Sequence, residues 1–258
     1  MLKKIDFEES CKVREDISEP DGDPHAGYPQ VCIRTNRTPS KTNLKKLIAG
    51  ANSVVESYDK GDVFGRAIAV MEYFENSFAS GEYGHVWIEV YRSASAKDCI
   101  NYSYIAGIAF VKNDLEGLPE RQFNLQKALP IANYYQFITN LEEYIIPEVN
   151  KESLSLTIDM VHSYVDPSFS KKLIGEIVIA YLKSKNLNAL NGVYTPLTTC
   201  AWFCCKIWNK AMKQTFNFEQ EFNGAVYAEK WGMPFLKEVN KIADAGVVAE
   251  SIYQSLSL

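Results

Sequence analysis

Cys200 stands where a thiol can be made nucleophilic. A thiol attacks a carbonyl only as the thiolate, and the free N–H groups and dipole at a helix N-terminus favour that anion. The run TPLTTCAWFCCKIW leads from a proline-containing loop, through two threonines, into an amphipathic stretch reaching about Met212. Thr198 or Thr199 is the expected cap of that helix. Cys200 then heads the first turn, whose amides can also receive a developing oxyanion, and Thr199 is expected to border a bound substrate. Phe203 and Ile207 would anchor the helix to a core. Cys204 and Cys205 are expected to be packed within it.

Such a nucleophile needs a base oriented by a third group. The chain has three histidines. His25 falls in a Pro- and Gly-rich region, and His162 in the alternating run LSLTIDMVHSYV, which reads as a strand ended by Asp166-Pro167. His85 opens the run GHVWIEVY directly after Gly84. There Val86, Ile88 and Val90 alternate with Trp87, Glu89 and Tyr91, as in a strand with two distinct faces. A base at the start of a strand is held on a rigid element. A second β-rich run, INYSYIAGIAFV (100–111), is expected to complete an antiparallel hairpin. Glu89 shares the face of His85 but lies four residues along, roughly 13 Å at the usual strand rise, so it is expected to order substrate or solvent. Trp87, Tyr91, Tyr102 and Tyr104 either line a substrate groove or form cross-strand packing pairs. The plainer reading of His162 with Asp159 or Asp166 is a surface histidine, since a metal site needs three or four clustered ligands.

The pair GHVWIEVY and TTCAWFCCKIW resembles the circularly permuted branch of the NlpC-type papain-like superfamily. In that branch a strand of the form Gly-His-Val-x-Ile precedes a cysteine that heads a helix of the form Cys-x-x-Phe. The resemblance covers the hairpin and one helix, a minority of the chain. It implies an α+β fold with a permuted papain-like core: a small antiparallel sheet packed against the cysteine-bearing helix, with additional helices. It also implies a Cys200–His85 pair that hydrolyses amide bonds without a cofactor, in peptidoglycan peptides above all. Family members orient the histidine from the neighbouring strand, where Asn101, Ser103 and Tyr104 are the candidates. None is the carboxylate or second histidine often found there, which is a departure.

The remaining sequence limits the other possibilities. At 258 residues and 47% hydrophobic content, the chain can bury a substantial core without disulfides. The six cysteines form no paired CxxC motif, so a zinc site is not expected. A net charge of −5 with scattered Lys and Arg argues against a nucleic-acid partner. No apolar run reaches the roughly 18 residues of a membrane span, and no signal-peptide pattern opens the chain. Synthesis in the cytosol is therefore expected. Contact with peptidoglycan would then come by delivery into a rival cell's periplasm, as by type VI secretion, with a cognate immunity protein as partner. An acyltransferase, or a protein deamidase or protease, using the same Cys-His site, and a non-enzymatic binding protein on the same scaffold, are the alternatives. Residues 1–27 read as a polar arm and 28–258 as one catalytic domain. Helices are expected over 43–58, from Asp62 to about Phe78 (with Ile68, Val70, Met71 and Phe74 buried), 131–145, 170–185 and most of 235–256.

Overall fold

Alternating side chains build one five-stranded antiparallel sheet. Its strands are β1 (Gln30–Thr35), β2 (Val86–Tyr91), β3 (Cys99–Ile105), β4 (Ala109–Asp114) and β5 (Leu125–Pro130), in the order β4-β3-β2-β1-β5. The computed structural model describes residues 22–79, 83–95, 98–114 and 123–256. The expected hairpin is β2–β3, with Glu89 opposite Asn101. The run 100–111 is not one strand: Gly107, at φ +77°, turns the chain back into β4. Glycine meets that backbone at no steric cost.

The first three helices are α1 (Leu44–Val55), α2 (Val63–Ala79) and α3 (Tyr134–Asn140). Asp62 caps α2 by accepting from the Gly65 amide at 2.8 Å. A π-helical turn, Leu141–Ile145, joins α3 to α4 (Ile146–His162). The α4 segment corrects the strand expected over 154–165. Leu154, Ile158 and Val161 share a helical face there and pack on Ile174, Val178 and Leu182 of α5 (Lys171–Ser184). Spacing of four and three residues outcompetes the local alternation, because it gives that segment a partner to bury against. The stripe of α5 that faces inward is the one just named; Leu173, Ile177 and Tyr181 are exposed, as is Ile68 of α2.

The cysteine-bearing helix is α6 (Cys200–Met212), with the expected bounds. It lies on the sheet face formed by Val31, Ile33, Val86, Ile88, Val90, Tyr102 and Tyr104. Phe203 anchors it, stacked on Tyr104 with ring centroids 4.3 Å apart. Full burial of one such side chain stabilises by about 1.5–3 kcal/mol. Beyond α6 come β6 (Glu219–Glu221), the short helix α7 (Ala225–Ala228), β7 (Lys241–Ala243) and α8 (Ala245–Leu256). The expected continuous helix over 235–256 is thus a 3-10 turn (Pro234–Glu238), a strand and α8. β6 and β7 form a second, two-stranded sheet. Trp231, Met233 and Leu236 pack on α1 and α2 in a second core cluster.

The architecture is α+β. An antiparallel sheet covered by the Cys200 helix and surrounded by further helices agrees with the coarse expectation. Most of the expected polar arm, residues 1–21, lies outside the described residues; 22–27 form a turn tied to β1, where Gln30 donates to the carbonyls of Asp23 and Gly27 at 2.8 Å each.

Candidate functional site

The loop that delivers Cys200 is fixed from below. Gly192 sits at φ +72° and ψ −170°, a region open essentially to glycine alone. A side chain there would start 2.3 Å from the Tyr104 hydroxyl and 2.5 Å from the Ser153 hydroxyl. Ser153 donates to the Asn150 carbonyl at 2.8 Å and accepts the Val193 amide at 3.0 Å. It also meets Tyr104 Oη at 2.9 Å, where Tyr104 is the donor because the serine proton is already committed. Thr198 Oγ1 then donates to the Val193 carbonyl at 2.7 Å, and Thr198 and Thr195 hydroxyls lie 2.8 Å apart. Tyr104 therefore supports the site through packing and this bond.

Thr199 occupies the N-cap in extended conformation, and its side chain makes no capping bond. Only its carbonyl serves the helix, accepting from Phe203 N at 3.0 Å. Cys200 is 5% exposed. It lines a small cleft, together with Thr42, Tyr83, Gly84, Tyr194 and Asp244. The Tyr194 hydroxyl bonds both the backbone and the thiol of Cys200. Burial, then the neighbouring Cys200, push the Tyr194 hydroxyl well above its ordinary range, so it stays protonated.

The sheet opens where α6 reaches it. Strands β2 and β3 pair only from Ile88 and Tyr102 onward. At the splayed end the Cys204 thiol donates to the Val86 carbonyl at 3.3 Å. Cys204 is one helical turn below Cys200, so the head of α6 lies level with the chain entering β2. That chain enters through Gly84, at φ +80°, with the Arg37 stem across it. His85 follows. Its amide donates to Asn36 Oδ1 at 2.6 Å, and its carbonyl accepts the Asn36 amide at 3.4 Å. Its imidazole stacks on Trp87, centroids 5.6 Å apart and planes 18° off parallel.

The other predicted residues lie beneath this point, on the sheet face turned from α6. Glu89 is buried there. It accepts from Trp87 Nε1 at 2.9 Å, Tyr91 Oη at 2.7 Å and Asn101 Nδ2 at 3.4 Å, and it pairs with Arg34. Ser103 donates to Asn101 Oδ1 at 2.7 Å. The structure thus joins Asn101, Ser103, Trp87 and Glu89 in one buried polar network, not in the cleft. Of the predicted residues, Cys200 and Thr199 line the cleft, beside Gly84; His85 does not line it, and its ring lies against Trp87 on the sheet face turned from α6.

Two cleft residues went unnoticed in the sequence. Asp244 accepts from the Thr42 amide (2.8 Å), Thr42 Oγ1 (2.6 Å), Gln220 Nε2 (2.8 Å) and the Gly246 amide (2.9 Å). With both oxygens saturated it is a fastener: it locks the loop before α1, β6 and the start of α8 into the wall facing Cys200. An aspartate directly before an apolar periodic run is a legible cap signal. Tyr194 had weaker signals, an aromatic in a glycine-containing loop before the nucleophile.

Among the described residues the remaining thiols are buried. Burial, partly offset by Arg34, pushes Cys32 up to about 12, and burial raises Cys99 and Cys205 as well. His162 bonds the Phe169 carbonyl at 2.9 Å at the end of α4. Among the described residues no group of three His, Cys, Asp or Glu side chains could hold a metal ion, and no helix is long and apolar enough to cross a membrane. No protein-family model, no curated protein and no solved structure matches this chain.

Proposed function

We propose that the chain is a cysteine hydrolase of amide bonds, with Cys200 as nucleophile and His85 as base. One observation carries this reading. Cys200 heads α6 in a cleft whose lining also includes Gly84, the residue directly before His85. In the reaction His85, its ring turned from Trp87 toward the cleft, takes the thiol proton, and the sulfur bonds the amide carbonyl carbon. The oxyanion faces the first turn of α6, which the Thr199 side chain does not cap and where the Tyr194 hydroxyl bonds the Cys200 backbone. As the C–N bond breaks, His85 gives its proton to the leaving amine. Water, deprotonated by His85, then hydrolyses the thioester and restores the thiol.

The cleft wall mixes polar Thr42, Gln220 and Asp244 with Leu44, Leu47 and Ile242. That lining suits a peptide better than an acyl chain. The resemblance noted above supports peptidoglycan stem peptides as substrate and delivery into a rival cell's periplasm as the route. Expression in the bacterial periplasm and in the cytosol, each with and without Cys200→Ala, tests it. Lysis from the periplasm alone, abolished by the substitution, is the expected result. Equal toxicity of the substituted chain would remove the reading.

A further inference from the structure

We propose that Tyr194 is a catalytic residue of this site: its hydroxyl donates a hydrogen bond to the Cys200 sulfur and holds the thiolate ready for attack. The proposal rests on the reading of Cys200 as nucleophile and adds which group steadies its charge.

The direction of each bond follows from the chemistry of the partners. A phenol has one proton to give and lone pairs with which to accept. Burial, then the neighbouring Cys200, keeps Tyr194 protonated. The bond to the Cys200 backbone favours the ionised phenol, as only an N–H donor can, so the Cys200 amide donates to Tyr194 Oη. The bond to the thiol favours the protonated phenol, so there the hydroxyl is the donor. A donor aimed at a thiolate favours the charged form. When the thiol ionises, its proton leaves for solvent or for His85, and the phenol keeps its own. Placement is as fixed as direction. The turn from Thr195 to Thr198 is closed by Thr198 N donating to Thr195 O at 3.0 Å, with Pro196 at the second position, where a proline presets the backbone. That turn folds Tyr194 back onto Cys200. The phenol ring stacks on Tyr104, centroids 5.9 Å apart. Tyr104 stacks in turn on Phe203 at 4.3 Å, and Phe203 rides on α6 beside the nucleophile. One aromatic stack therefore ties the hydroxyl and the sulfur to the same rigid helix. The His85 ring rests against Trp87, so Tyr194 is on the sulfur before the base turns in.

The test follows Cys200 alkylation by iodoacetamide against pH, scored at that residue by peptide mass spectrometry. The rate should rise through the thiolate midpoint to a plateau. Tyr194→Phe keeps the ring and its stack and removes the donor. Its midpoint should lie about one pH unit higher, so that alkylation well below the midpoint is roughly tenfold slower. A change in access to the cleft would move the plateau; a change in thiolate stability moves the midpoint, which a merely structural role would leave alone. An unchanged or lower midpoint in folded Tyr194→Phe overturns the proposal. Cys200→Ala in the periplasmic lysis assay keeps the two readings apart. If lysis survives that substitution, the nucleophile reading falls, and this proposal with it. If lysis is lost while the Tyr194→Phe midpoint stays native, Tyr194 alone is overturned. A second measurement covers the case in which Tyr194→Phe does not fold. Tyrosine fluorinated beside its hydroxyl, placed at position 194 alone, should give a fluorine NMR resonance that moves at the alkylation midpoint. A resonance flat through that midpoint overturns the proposal.

Discussion

Replacing Glu89 with glutamine should destabilise the protein far more than any surface charge change. The substitution keeps the shape and removes the charge. Both carboxylate oxygens are in use: Oε1 faces Trp87 Nε1 and Asn101 Nδ2, and Oε2 faces Tyr91 Oη and Arg34. An amide nitrogen at the first position meets two donors, and at the second it meets the guanidinium. Arg34 keeps its bond to Gln126 at 3.1 Å and its place 4.1 Å from the Phe123 ring centre, but loses its counter-charge. Its side chain is 9% exposed and that of Glu89 4%. Burial works against the guanidinium charge, and Glu89 first, with Tyr91, Cys32 and Cys99 behind it, holds the Arg34 pKa above its ordinary value. Breaking a buried pair by removing one partner costs about 3–5 kcal/mol. Asp98→Asn is the control, since its pair with Arg92 is solvent-exposed and such pairs contribute roughly 0–1 kcal/mol. Urea denaturation of the two variants reads the difference directly. A third variant, Arg34→Met with Glu89→Gln, removes both charges. The new amide can then accept from Trp87 and donate to the Tyr91 oxygen, so the double variant should be more stable than Glu89→Gln alone. A Glu89→Gln loss below about 1 kcal/mol, or strict additivity in the double variant, would refute the account of a mutually dependent buried pair.

Two further outcomes follow from the same structure. Gly192→Ala forces a side chain into a glycine-only region and against the Tyr104 and Ser153 hydroxyls. It should cost on the order of 2 kcal/mol or more, seen as a lower urea midpoint, and should slow Cys200 alkylation by displacing the loop. Stability should fall as pH rises above 9. Burial raises Cys32 from 9.0 to about 12 in the folded chain, so between those values the unfolded chain has released a proton that the folded chain still holds. The unfolded state then binds fewer protons, and stability declines with pH. A Tm that stays flat from pH 9 to 11 would contradict the assignment of Cys32 to a sealed environment.

Much of the skeleton around the site was legible in the residue order. The helix bounds from Cys200 to Met212 followed from the threonine pair and the apolar stripe. The faces of β2 followed from strict alternation, and Asp62 announced its helix. These are local signals, carried by spacing of two or of three to four residues. The segment 154–165 failed because its apolar residues fit both periods, and the tie was broken by α5, a partner that no local window contains.

The candidate site divides along the same line. The residue order alone marked Cys200 as a helix-heading thiol and His85 as a strand-opening base, because a cap and an alternation are written within a few residues. Only the tertiary structure decided that Asn101, Ser103, Trp87 and Glu89 lie beneath the cleft. Strand register and sheet packing determine which face is turned toward α6. Only the tertiary structure, too, showed that the loop folds Tyr194 back onto Cys200, and that Asp244 fastens the far wall by joining Thr42 and Gln220, segments whose separation along the chain carries no information about their distance in space.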